Sequence, residues 1–522
     1  MTTQMPSMAS LQAPEFVASC LLLLATILLF KLLLLAPPPK KKHAGAASPA
    51  LSLPSPRGLP LIGNLHQVGA LPHRSLAALA AAHAAPLMLL RLGSAPTLVV
   101  STAAAARALF QENDDRALLG RPALYAATRL SYGLRNISFA PHDSAFWRAA
   151  RRACGTELLG APRVRGFRTA REREAAALVN AVAAVASGGS PVNLSDMVIA
   201  TSTRILRRVA FGGVDCDGEI DMDVKAVLDE TQNLLGGFWF ADYFPWLRWL
   251  DSLRGMRRRL ERLFHQLDAL YDRVIDDHRS KRKDGSGEND DDLVDVLLRL
   301  HGDPAHRSTF GNSGHIKGIL TDMFNGGSDT SAVTVEWAMT ELVRNPDALA
   351  KAQREVRRVV TGENITMVRE ADLPELHYLR LVIRETLRLH PALPLLVPRE
   401  TTEPCTVNNG AVKIPPGTRV LINAMAIHTD PGVWGPDADR FVPERHENGE
   451  GSDGFALVPF GIGRRSCPGV HFATAVVELL LANLLFGFDW GVREVDVAEV
   501  NGLAVRKKNP LVLVATKKGN SL

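Results

Sequence analysis

The sequence predicts a mainly α-helical protein with small β-sheets, an α+β fold preceded by an N-terminal transmembrane helix. Three observations predict it. An apolar segment of membrane-spanning length stands near the start. Apolar spacings of three and four dominate from about Ala70 onward. Strand-like runs are short and few, each set beside Gly or Pro. The 522 residues are 46% hydrophobic and 22% charged, enough apolar material for a large core.

Phe16 to Ala36 is the spanning segment, 21 residues broken only by Lys31. At 1.5 Å per residue it crosses a hydrocarbon core of ~30 Å. A cleaved signal peptide is the competing reading. The segment is long for one, no Lys or Arg precedes it, and no A-x-A-like site follows. Lys40, Lys41 and Lys42 come after it, so the bulk of the chain faces the cytosol. The expected organisation is a lumenal N-terminus at 1–15, an anchor at 16–36, a basic and proline-rich hinge at 37–60, and one domain at 61–522. The anchor implies a single-pass protein of the endoplasmic reticulum membrane.

Helical periodicity then places amphipathic or buried helices through Leu260–Leu270, Ile316–Arg344, Leu379–His390 and Val470–Phe486. Leu87–Leu92 and Thr97–Ser101 flank Gly93 as a hairpin. Val412–Ile414 and Arg419–Asn423 flank Pro415-Pro416-Gly417 as another, and Pro510–Ala515 is a third strand candidate. Seven aromatics crowd Phe238 to Trp249; they read either as a core cluster or as a face dipping into the membrane interface.

Net charge is +5, too small an excess to imply nucleic acid. It suits an anionic membrane or an acidic protein partner. The five cysteines (Cys20, Cys154, Cys216, Cys405, Cys467) are sparse and form no CxxC pair, which argues against a disulfide framework or structural zinc. Cys467 stands apart, in Phe460-Gly461-Ile462-Gly463-Arg464-Arg465-Ser466-Cys467-Pro468-Gly469. Pro468 suits the first position of the apolar helix behind it. Cys467 then sits at the helix N-cap, where amides and dipole favour thiolate. Such a buried thiolate calls for a positive partner, and haem iron is one. The competing reading is an inert buried cysteine in a glycine-rich loop. The pattern F-x-x-G-x-R-x-C-x-G arises by chance about once in ten thousand such chains.

This loop resembles the haem-binding signature of the cytochrome P-450 family, and the whole chain is similar to plant microsomal members of the A-type group. The resemblance implies haem b held by Cys467, in a monooxygenase supplied with electrons from NADPH by a flavoprotein reductase. Four further segments match in order. Trp147 and Arg151 resemble the family's W-x-x-x-R helix; with Arg399, Phe460, Arg465 and Gly469 they are the implied cofactor contacts. Gly326-Gly327-Ser328-Asp329-Thr330-Ser331 resembles the oxygen groove, which implies proton supply through Thr330 and Asp329; relatives usually carry Ala at Gly326. Glu385, Arg388 and Arg445 are the implied buried ionic network, with His446 where many relatives carry Phe. Gly326, Leu395 and Val397 are the implied substrate contacts. The substrate would be a small, largely apolar or aromatic specialised metabolite, and Arg464, Lys507 and Lys508 would help dock the reductase. Two alternatives remain open at this level: a reductase-independent isomerase or dehydratase, disfavoured by Asp329-Thr330, and a non-enzymatic haem sensor.

Overall fold

The computed structural model describes residues 53–212, 224–283, 292–361, 366–447, 449, 454–491 and 495–518. The expected anchor and lumenal segment lie outside the described residues. The end of the expected hinge is packed on the domain. Leu53 is buried, and the Leu89 N–H donates to the Pro54 carbonyl at 3.1 Å.

The core is helical. Ser313–Arg344 is its central helix, capped by Asn312, whose Oδ1 accepts from the Gly314 N–H at 2.8 Å. Nearly all of its residues are buried, which explains why its sequence lacks a single apolar stripe. Val470–Gly487 is the one described helix long and apolar enough to cross a membrane. Its interior residues from Phe472 to Phe486 belong instead to the main apolar cluster. Leu194–Phe211 crosses the central helix at Gly327. A Cβ there would stand 2.8 Å from Leu206 Cδ1, so only glycine permits this approach. At Gly326 a Cβ would meet nothing within 4 Å. The glycine pair thus divides its roles: Gly327 lets two helices touch, and Gly326 leaves open space.

The expected hairpin forms. Leu87–Leu92 pairs antiparallel with Ala95–Val100, and Leu89 faces Leu98. The second expected hairpin does not. Val412–Ile414 pairs with Cys405–Val407, whereas Arg419–Ile422 joins the first sheet, parallel to Ala95–Val100. The Pro-Pro-Gly turn therefore changes sheets rather than closing a hairpin. Arg399–Glu400 adds the edge strand, which fixes Arg399 beside Val420. The C-terminal strand runs Val512–Lys517, between Phe488–Gly491 and Val192–Asn193.

The aromatic segment splits between both readings. Trp239 and Phe244 are buried, while Trp246 and Trp249 are 58% and 54% exposed.

Candidate active site

The cysteine loop is built by two left-handed glycines, Gly461 at φ +81° and Gly463 at φ +63°. They fold it so that the Cys467 N–H donates to the Phe460 carbonyl at 2.8 Å. Cys467 is exposed, but to an internal cavity that its sulfur lines. The helix begins at Val470 with Gly469 as its N-cap, not at Pro468 as expected. The Cys-Pro-Gly turn comes first, so the dipole's first residue lies three positions beyond the cysteine. What remains is one direct amide: the Gly469 N–H points at Sγ from 3.3 Å. Burial pushes the thiol up, and this amide and Arg151 only partly oppose it. The expected lowering does not occur in the protein alone.

Around the sulfur stand four arginines that all line the cavity: Arg121, Arg151, Arg399 and Arg465. Each is anchored to backbone oxygens. Arg465 donates to Leu119, Ile137 and Ala140 at 3.0, 3.1 and 2.6 Å and lies 4.3 Å over the Trp147 ring. Arg151 donates to the Ser466 carbonyl, and Arg399 to those of Leu118 and Ile462. Arg121 donates to Ser138 at 2.9 Å and to Pro398 at 2.8 Å. Burial, and then mutual repulsion, push Arg465 down to about 9; burial brings Arg399 to about 10, partly opposed by Asp115. A guanidinium in water stays charged far above these values. The wall therefore holds more cation than its own carboxylates neutralise. It suits a ligand with an apolar body and two or more acidic groups beside the sulfur, which is the character of haem b with its propionates. The residues fit that group. Trp147 Nε1 is already committed, donating to the Ile137 carbonyl at 3.1 Å.

The opposite wall is the central helix, where Asp322, Gly326 and Thr330 repeat every four residues toward the cavity. Thr330 Oγ1 donates to the Gly326 carbonyl at 2.6 Å. Asp322 accepts from the N–H groups of Ile137 and Ser138 at 2.6 and 3.0 Å and from Asn136 Nδ2 at 2.8 Å. Burial still raises its carboxyl, to about 6. Asp329 differs from its expected placement. It is fully buried, does not line the cavity, and pairs with Arg506, which also pairs with Asp229. A helix turns about 100° per residue, and that step carries Asp329 out of the wall that Thr330 and Ser331 line. Burial lifts the Asp329 carboxyl, with Arg506 opposing.

Val397, Phe460 and Gly469 line the cavity as expected. Leu395 does not: it packs on the apolar cluster under the first sheet, and Leu396, at φ +52°, lines the cavity beside Val397. Lys507 is buried over Trp337, so it is no surface contact for a reductase. The sequence reading also missed Arg121 and Asp322 as individuals. The four-residue step back from Gly326 was a usable signal for Asp322; Arg121 carried none.

Glu385, Arg388 and Arg445 meet behind the cavity. Arg388 holds Glu385 in a two-point bond of 2.8 and 2.8 Å, and Arg445 Nε adds one at 2.9 Å. His446 Nε2 makes a fourth contact at 2.8 Å. Burial pushes the Glu385 carboxyl up, but the bonds from Arg388 and His446 outweigh it and bring the group down to about 2.

The comparisons agree with this arrangement. A family profile described as cytochrome P-450 matches residues 53–514. Cytochrome P-450 71A9 of Glycine max is 46% identical over 89% of this chain and 92% of its own length. The strychnine-11-hydroxylase of Strychnos nux-vomica is 43% identical over 89% and 91%. The tryptamine 5-hydroxylase of Oryza sativa subsp. japonica is 42% identical over 91% and 92%. A sulfur and a cationic wall facing one cavity, together with matches of this extent, establish that the chain belongs to the cytochrome P-450 family, in its plant A-type group, as an oxygen-dependent monooxygenase that uses haem b.

Proposed function

We propose that the chain is a membrane-anchored monooxygenase that inserts one atom of dioxygen into a small, largely apolar or aromatic specialised metabolite. Its electrons come from NADPH through a flavoprotein reductase in the same membrane. The observation that carries this reading is the convergence of the Cys467 sulfur, the four arginines and the Thr330 face on one cavity.

Haem b supplies the dioxygen chemistry when bound, and a cysteinate ligand is the type that favours O–O cleavage. Cys467 would hold the haem iron through its sulfur in this reading. Its thiol, held up by burial, needs a metal to become thiolate, which links loss of its proton to cofactor binding. Arg121, Arg151, Arg399 and Arg465 hold the propionates. Trp147, with its N–H committed, supports Arg465 by stacking. Phe460 and Gly469 flank the ring. Thr330 carries a hydroxyl proton at the cavity face, and the buried Asp329 is its reserve once Arg506 lets go.

Leu130, Leu206, Val397 and Leu503 make the cavity wall apolar, which suits an apolar or aromatic substrate body. Two relatives are named for strychnine and tryptamine, so nitrogenous aromatics are the first candidates. Residues 16–36 are the anchor and 37–60 the hinge in this reading. Trp246, Trp249 and Leu253, exposed together, support a second contact with the bilayer.

Two linked measurements test the reading. The reduced, CO-bound protein should show the red-shifted Soret band of thiolate-ligated haem, and Cys467→Ala should abolish it. Turnover of an untargeted metabolite mixture should require NADPH and reductase. Product formed equally without either would overturn the monooxygenase reading.

A further inference from the structure

We infer that the Asn325 carboxamide is a substrate-positioning group, which takes up a hydroxyl or N–H of the substrate. Asn325 lines the cavity from the central helix and is 8% exposed. Its Oδ1 is buried without a hydrogen-bond partner, and the described residues offer none to its Nδ2. A buried amide left unpaired is costly, and such groups normally have a partner. The carboxamide borders the cavity, and the group it takes up comes from there.

The neighbouring polar groups do not share this state. Asn136 donates to Asp322 and accepts from the Phe139 N–H. Gln232 Oε1 accepts from the Ala504 N–H at 2.8 Å. Thr321 and Thr334 donate to carbonyls four residues back on their own helix. Ser331 Oγ is also unpaired. A serine hydroxyl can rotate onto its own helix, as those threonines do; an asparagine Nδ2 can do the same, as in Asn345 and Asn483, but its Oδ1 is still left without a donor. Next to Asn325 the open space at Gly326 leaves room for a polar substituent.

The inference rests on the proposed oxidation beside Thr330 and adds a distance. Five residues separate Asn325 from Thr330, roughly 7 to 8 Å along the helix axis. The substrate therefore carries a hydrogen-bonding group about that far from the carbon it loses a hydrogen from. An aromatic bicycle bearing one hydroxyl or ring N–H has that span.

The test compares 2-naphthol with naphthalene, equal in apolar body and different in one hydroxyl. Binding is read on the haem-loaded protein from the Soret shift that accompanies displacement of the iron's water. Wild type should prefer 2-naphthol. Asn325→Leu should lower that preference by about threefold to tenfold, the worth of one neutral hydrogen bond. Asn325→Ser, which keeps a shorter donor and acceptor, should retain part of it. Gly326→Ala should move both affinities together, because it changes room and no polar group. Equal affinity of the pair in wild type, or an undiminished preference in Asn325→Leu, overturns the inference. If the reduced, CO-bound protein lacks the thiolate band, the haem reading fails instead; equilibrium dialysis of the same pair then decides on Asn325 by the same ratio.

Discussion

Thr330 and Asp329 are adjacent in sequence and meet different surroundings. Thr330 lines the cavity; Asp329 is buried against Arg506. Their functions should therefore separate in variants. Thr330→Ala removes the hydroxyl at the cavity face. NADPH consumption should continue while product per NADPH falls at least about tenfold, in line with loss of a positioned proton donor. Thr330→Ser should restore most of it; unchanged coupling in Thr330→Ala would sink the assignment. Arg506→Gln removes the cation that Asp329 shares with the half-exposed Asp229. Burial already raises the Asp329 carboxyl, and Arg506 is what holds it down. Without the guanidinium it rises further, so Asp329 stays protonated to higher pH. Any limb of the pH–rate profile that it carries should move to higher pH. A profile that stays in place, with the fold intact, would leave Asp329 outside the proton supply.

At the scale of elements, the Glu385 network ties the His377–Leu389 helix to the Pro443–His446 turn. Arg388 also donates to the carbonyls of His428 and Ala438 at 2.7 and 2.6 Å, so one helix residue fixes three chain segments. His446 extends the set and lies edge-on to Trp434. His446→Phe deletes one donor to a buried carboxylate, which should cost ~1–3 kcal/mol. Arg445→Leu leaves that carboxylate short of a cation and should cost ~3–5 kcal/mol. Thermal unfolding of the holoprotein ranks the two; equal losses would mean that His446 shares the charge load fully. The pH sign follows from Glu385. Its carboxyl is depressed from 4.5 to about 2 in the folded state. The unfolded chain binds its proton first, so this contribution is present above about pH 4.5 and is lost as pH falls toward 2. The network also marks what sequence could carry. Glu385 and Arg388 are three apart on one helix, and Arg445 lies in a recognisable segment. His446 looked like a neutral exchange, because a fourth ligand to Glu385 depends on how two distant segments meet. Arg121, Arg506 and the sheet change at Pro415–Gly417 were hidden for the same reason: their partners lie more than a hundred residues away in the chain. The Cys467 loop and the Leu87–Val100 hairpin were legible because their geometry is set by local glycines.

Across the whole molecule, two exposed apolar segments join into one face. The Gly93 N–H donates to the Ile62 carbonyl at 3.1 Å, and the Ser94 N–H to the Tyr243 carbonyl at 2.8 Å. The hairpin turn thus stitches Leu59, Leu61 and Ile62 to the segment bearing Trp246, Trp249 and Leu253. Large contiguous apolar patches are uncommon on soluble surfaces, and tryptophan favours the bilayer interface. Asp242, half-buried beside this face, caps Tyr125 by accepting its N–H at 2.8 Å, so the face is tied to the helix that lines the cavity through Ala127 and Leu130. A bilayer touching it would receive apolar substrate close to that helix. The prediction uses tryptophan fluorescence of the full-length chain in phosphatidylcholine vesicles with brominated acyl chains. Of the seven tryptophans, Trp246 and Trp249 are the exposed pair on this face, while Trp239, Trp337 and Trp434 are buried. The bromines should quench wild type, and Trp246→Phe with Trp249→Phe should remove most of the quenchable part. Quenching that survives the double change would place another face against the membrane and separate substrate entry from this patch.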